Sequence, residues 1–221
     1  MDIEWGEEGR QAELNAYRED READFLPMDR LDMLLPTDLQ TGMATATALQ
    51  AYLSAMMEMA TRGNQPLSVI SVGADDCPAL RLFMQEDVSL LAHAIARCLR
   101  QETRGYDVIG RMEDSNLPGL PTFVIVCPLM NEDHAAQLAE RLLTTMSAYA
   151  SDAAQDWLTI SIGVVGMGLD MSDAATLLLR AGATLLRAQR QGGKQVWRHS
   201  DTLRQIIEKH YSEAETQGDE A

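Results

Sequence analysis

Apolar residues along this chain fall into two kinds of spacing. Leu49, Leu53, Met56, Met57 and Ala60 recur at helical intervals, which predicts a helix from about Ala44 to Thr61. Arg62-Gly63-Asn64 ends it, Gly63 being suited to the position after the last turn. Pro66-Leu-Ser-Val-Ile-Ser-Val-Gly73 reads as the first strand. Leu90, Leu91, Ala94, Ile95 and Cys98 mark one side of a second helix over Ser89–Arg100. Val108, Ile109 and Met112 read as a short strand, and Thr122 to Cys127 as a fully buried one. Between these two, Glu113 to Pro121 is polar and then Pro-Gly-Leu-Pro, which cannot continue a ladder and so predicts a hairpin. Asn131 is placed to cap a helix running to about Tyr149. Trp157 to Val165 predicts another strand, Asp173 to Arg190 a last helix, and the chain then turns through Gly192-Gly193 towards Trp197. The order helix–strand–helix–hairpin–helix–strand–helix–strand predicts an α/β domain with a mixed central β-sheet flanked by helices.

The flanks differ in composition. The chain has 221 residues and 46% hydrophobic content, enough for one domain with a full core. Residues 1–35 form an acidic N-terminal extension in which Glu7 to Glu22 reads as an exposed helix with a thin apolar stripe. Residues 36–198 form the domain, and 199–221 an acidic, helical C-terminal tail. Of the net charge of −16, residues 1–34 carry 11 acidic against 4 basic groups, and residues 199–221 carry 6 against 2. Such a balance argues against nucleic-acid binding, which needs Lys and Arg against phosphates. Cys77, Cys98 and Cys127 sit beside apolar residues without paired spacing, and read as buried free thiols of a reducing cytoplasm. The four histidines make no metal-ligand spacing with them. No signal segment and no apolar run near 18 residues is present, so the expectation is a soluble, cytoplasmic chain without membrane insertion.

The most informative stretch is Arg104-Gly-Tyr-Asp107-Val-Ile-Gly-Arg111-Met-Glu113-Asp114-Ser115-Asn116-Leu117. It resembles the GGDEF domain family of diguanylate cyclases, which make cyclic di-GMP. In that family an Arg-x-x-Asp pair, the inhibitory site, precedes Gly-Gly-Asp/Glu-Glu-Phe at a hairpin tip by five residues. Arg104 and Asp107 stand at the pair, and Arg111 at the family's frequent Arg before the tip. Arg141, in Ala139-Glu140-Arg141, matches the Arg that completes the inhibitory site. Asp38-Leu-Gln-Thr41-Gly42 resembles the family's opening motif, Ser161-Ile-Gly-Val164 its penultimate strand, and Ala181 to Lys194 its closing motif.

The departures are concentrated where the resemblance would place catalysis. The hairpin acid falls on Ser115. The strand acid that holds Mg2+ falls on Gly73, or on Asp75 with a two-residue shift. The guanine-binding stretch is replaced by Leu80 to Asp87, without Asn, Gly or His. The Lys and Arg that hold the triphosphate fall on Gln189 and Gly193. Since Mg2+ needs carboxylate oxygens at the reacting phosphate, the resemblance implies an inactive cyclase with no metal and no cofactor. An Arg fork suits a phosphate or the O6/N7 edge of guanine, and an Asp can accept from guanine N–H groups. The first expectation is therefore a cyclic di-GMP receptor acting through Arg104, Asp107 and Arg141. The plain alternative for Arg104 and Asp107 is a surface salt bridge contributing little. The rival function is a ligand-free scaffold for a protein partner or a second copy of the chain. Arg97 and Arg100 are accounted for by the helix dipole alone.

Overall fold

Leu67–Ala74 is buried at every position and Thr122–Pro128 at all but its last, a pattern that only a sheet covered on both faces can satisfy. The computed structural model, which describes residues 34–112, 120–152 and 158–204 without the side chains of 82–90 and 152, contains that sheet. Among the described residues the elements are β1 (Ala44–Thr45), α1 (Ala46–Gly63), β2 (Leu67–Ala74), α2 (Pro78–Glu102), β3 (Val108–Met112), β4 (Thr122–Pro128), α3 (Glu132–Asp152), β5 (Ile160–Gly166), α4 (Ala174–Arg190) and β6 (Val196–Arg198). The six strands lie in the order β1-β3-β4-β2-β5-β6. β2 is antiparallel to both β4 and β5, and β3 is antiparallel to β4. The short edge strands β1 and β6 run parallel to β3 and β5. The fold is the expected α/β class, a mixed sheet flanked by helices.

Neighbouring residues of one strand serve opposite cores, as the two-residue period of a strand requires. Ile70, Val72, Ile125 and Ile162 meet Leu91, Ile95 and Leu99 of α2 and Leu138, Leu142 and Met146 of α3. Val69, Val124, Val126 and Val165 meet Leu49, Leu53 and Met57 of α1 and Leu177 and Ala181 of α4. Burying each large aliphatic side chain contributes roughly 1.5–3 kcal/mol, so these two filled layers hold the fold. α4 crosses β5 so closely that a Cβ on Gly163 would lie 2.3 Å from the Leu185 nitrogen.

Several boundaries depart from the sequence pattern for local reasons. α2 begins at Pro78 rather than Ser89. Pro78 presets the first helical φ, and Cys77 Sγ accepts the Leu80 N–H at 3.3 Å. The polar run around Gln85-Glu86-Asp87 hid this extension from the periodicity. α1 ends on Asn64 in the left-handed region at φ 48°, with Gly63 still helical; Asn tolerates that region. β1 was not expected from the sequence. Asn131 does cap α3, accepting the His134 N–H at 2.9 Å. Beyond β6, residues 199–204 are helical, Ser200 N–H donates to Glu132 at 3.3 Å, and Arg198 pairs with Asp133. The expected helix over Glu7–Glu22, the tip from Glu113 to Gly119, Trp157 and the tail past Arg204 lie outside the described residues. Among the described residues, no helix is long and apolar enough to cross a membrane.

Candidate functional site

The carboxyl end of β2 is where the resemblance would put a catalytic metal. Gly73 lies within the ladder, paired with Thr122 and Ser161. A Cβ there would meet Leu185 Cδ2 at 3.1 Å and Gln189 Nε2 at 3.2 Å, so α4 lies directly over the position. Gln189 Nε2 donates to the Ala74 carbonyl at 2.9 Å. Asp75 follows, and its N–H donates to the Thr159 carbonyl at 2.9 Å. Its carboxylate accepts from Ser161 Oγ at 2.6 Å, Thr159 Oγ1 at 2.9 Å and the Lys194 N–H at 2.8 Å. The last of these clasps the turn Gly192-Gly193-Lys194, whose φ values are all positive. A Cβ on Gly193 would stand 2.9 Å from the Asp75 carboxyl carbon, so the clasp requires glycine there. Of the two alternatives for the strand acid, Gly73 has no side-chain ligand atom, and Asp75 is turned into the clasp. The described residues assemble no group of three or more His, Cys, Asp or Glu able to hold a metal ion. They do not fit Mg2+ at this place.

The second place is the junction of α2 and β3. α2 ends at Glu102, and Thr103 closes it by donating both its N–H and its hydroxyl to the Leu99 carbonyl. The next four residues form a turn fastened twice. Asp107 N–H donates to the Arg104 carbonyl at 3.1 Å, and Asp107 Oδ2 accepts the Arg104 N–H at 2.9 Å. Asp107 is 0% exposed. The turn does not bring the Arg104 and Asp107 side chains to one face. Asp107 points inward because it satisfies the turn's backbone, and Arg104 points outward. The surface salt bridge between them is not formed either. Arg104 Nη1 instead donates to the Tyr106 hydroxyl at 2.9 Å, with the guanidinium 5.7 Å from the ring centre. Tyr106 is itself held by its carbonyl, which accepts from Tyr52 at 3.3 Å. Burial raises the Tyr52 hydroxyl pKa, and the nearby Asp107 charge adds to it.

Arg141, on α3, reaches the same junction. Its Nε lies 3.3 Å from Glu102 Oε2, and Thr145, one turn further on, donates to Glu102 Oε1 at 2.8 Å. Arg141 pairs with Glu102, Arg104 lies two residues beyond it in the turn that follows α2, and both arginines are exposed. Sequence reasoning named these two arginines and missed Glu102, Thr145 and Tyr106. Their only signal was position, Glu102 and Tyr106 each two residues from Arg104, and Thr145 four residues after Arg141. Arg100 turns away from the junction and donates to the Gly42 carbonyl at 2.7 Å. Arg111 is likewise structural, pairing with Asp38 at 3.1 Å and with Gln40. Partial burial works against the Asp38 charge, but hydrogen bonds from Thr41 and Arg111 outweigh it and hold the carboxyl below its ordinary range.

The sequence profile described as "Diguanylate cyclase, GGDEF domain" matches residues 36–195. No curated protein matches the chain by sequence. Among solved structures it is similar to the active GGEEF domain of a diguanylate cyclase from Vibrio cholerae, with a TM-score of 0.59 and 21% identity over 68% of this chain and 94% of that one. It is similar to the GGDEF domain of DgcB from Caulobacter crescentus in complex with c-di-GMP, at 0.60 and 16% over 73% and 92%. It is also similar to the diguanylate cyclase SiaD in complex with its activator SiaC from Pseudomonas aeruginosa, at 0.65 and 22% over 86% and 72%. These likenesses agree with the order of strands and helices described above. With the profile spanning β1 to the start of the closing strand, the chain belongs to the GGDEF domain family.

Proposed function

We propose that this GGDEF domain does not cyclise GTP and acts in the cytoplasm as a receptor for cyclic di-GMP, bound by Arg104 and Arg141. The observation that carries the reading is that two arginines are exposed about the end of α2, Arg141 on its last residue Glu102 and Arg104 in the turn that follows, each able to meet a phosphate or a guanine edge of a dianionic ligand. Asp107 supports it as a positioning residue, fixing the turn from which Arg104 projects. The DgcB domain solved in complex with c-di-GMP supports the choice of ligand. Catalytic silence is supported by Gly73 lying under Leu185 and Gln189 and by Asp75 in its clasp. The free, buried thiols of Cys98 and Cys127 fit a reducing compartment. A second reading, a ligand-free adaptor for a protein partner or a second copy, is favoured by the inward-turned Asp107.

Calorimetry of the full chain with cyclic di-GMP tests the receptor reading. Saturable binding that weakens about ten- to a hundredfold in Arg104→Ala is expected, the loss of one charge-assisted donor pair. An absence of heat at high micromolar ligand would end the receptor reading and leave the adaptor. Incubation with GTP and Mg2+ should yield no cyclic di-GMP. Turnover that vanishes in Asp75→Asn would show that Asp75 serves a metal after all.

A further inference from the structure

We infer that Glu102 is an internal competitor at this junction: its carboxylate occupies Arg141, and a bound anionic nucleotide must displace it. The inference rests on the receptor reading and adds a residue that sets the affinity of the site. Glu102 is the last residue of α2, the negative end of the helix dipole, where local helix physics disfavours a carboxylate. What holds it there comes from α3. Oε2 takes Arg141 Nε at 3.3 Å and Oε1 takes Thr145 Oγ1 at 2.8 Å, so both oxygens are engaged on one face of that helix. Glu102 is 24% exposed and Arg141 58%. The anion therefore lies on the inner side of the cation, and the outer side of the cation faces solvent.

The two arginines thus differ in what a ligand must overcome. Arg104 has a neutral partner, the Tyr106 phenol and ring, which a phosphate outcompetes readily. Arg141 has a full negative charge beside it. A phosphate arriving at Arg141 meets both a cation already neutralised and a like charge a few ångströms away. Because the pair is partly exposed, neither effect is large. Glu102 lowers affinity without abolishing it, so half-saturation of the site moves to a higher ligand concentration.

The test is calorimetry of the full chain with cyclic di-GMP, for wild type, Glu102→Gln, Glu102→Ala, Arg141→Ala and the double variant Glu102→Gln/Arg141→Ala. Both Glu102 variants are expected to bind about three- to tenfold more tightly than wild type. The gain should shrink as salt is raised, since it is a charge effect, and it should vanish when Arg141 is absent. A merely structural Glu102 would show no such dependence on Arg141 or salt. If wild type binds and both Glu102 variants bind equally or more weakly, the inference is overturned while the receptor reading stands. A loss confined to cyclic di-GMP, with an adenine dinucleotide unaffected, would make Glu102 a guanine acceptor and also overturn it. If only the Glu102 variants bind, wild type is no receptor, and a Glu102 that merely lowers affinity is overturned along with that reading. If no variant binds, the receptor reading falls and this inference with it.

Discussion

Asp107→Ala separates a buried turn-lock from a surface ion pair. The substitution removes the acceptor of the Arg104 N–H, 2.9 Å away, from a residue that is 0% exposed. Alanine offers no replacement acceptor. Leaving a partly buried backbone donor without a charge-assisted acceptor costs on the order of 1.5–3 kcal/mol. For a domain of this size that corresponds to a fall of roughly 3–12 °C in melting temperature. Asp107→Asn keeps an acceptor oxygen of the same shape and should lose less than half as much. Arg104→Ala removes only an exposed side chain and should leave the melting temperature nearly unchanged while weakening ligand. Thermal unfolding followed by circular dichroism measures all three. An Asp107→Ala variant melting within 1 °C of wild type would refute the reasoning, because only an exposed carboxylate could be lost so cheaply.

The remaining predictions test other parts of the molecule. Gly193→Ala should destabilise by on the order of 1–2 kcal/mol, since its φ is +71° and the new Cβ would press on Asp75; an unchanged denaturant midpoint would contradict the clasp. Asp38 has a folded pKa below its ordinary 3.8, so its contribution is present above that value and lost as pH falls through the lower folded value. Asp38→Asn should therefore reduce stability at neutral pH and flatten the acid limb below about pH 4, which acid titration of the two proteins would reveal. Burial pushes the Cys98 thiol up to about 11 and the Cys127 thiol also well above its usual range. In native protein a thiol reagent should accordingly modify Cys77 alone, Cys98 and Cys127 reacting only on unfolding; fast labelling of Cys98 would show an open α2.

Much of the fold was legible because its signals are short-range. Thr122 to Cys127 is an apolar run rich in β-branched residues with no polar face, which places β4 in the interior before any partner is known. Asn131 and Asp173 stand where caps are needed, and both accept the N–H three residues on. The start of α2 was not legible, because its first three turns lack a continuous apolar stripe and depend on Pro78 and Cys77 instead. β1 escaped notice for a related reason. Two residues carry no period, and Ala44–Thr45 is a strand only because β3 offers it a parallel partner.

The site was legible by residue type and opaque by direction. An Arg-x-x-Asp spacing fixes which side chains leave a turn, but a turn has an inside and an outside. Which residue takes which side depends on whether the backbone N–H groups already have acceptors. After α2 ends at Glu102, the Arg104 N–H has none within the helix, and the nearest acceptor able to curl back is the carboxylate three residues ahead. Asp107 is drawn inward by that need, and Arg104, whose long side chain and charge favour solvent, goes outward. The same reasoning accounts for Asp75. At the end of β2 it meets the hydroxyls of Thr159 and Ser161 and a left-handed turn with a bare N–H at Lys194. Those three donors fix the direction in which the carboxylate points. Both aspartates therefore serve their turns. Arg104 and Arg141 face outward near the α2–β3 junction, and Arg141 does so while paired with Glu102.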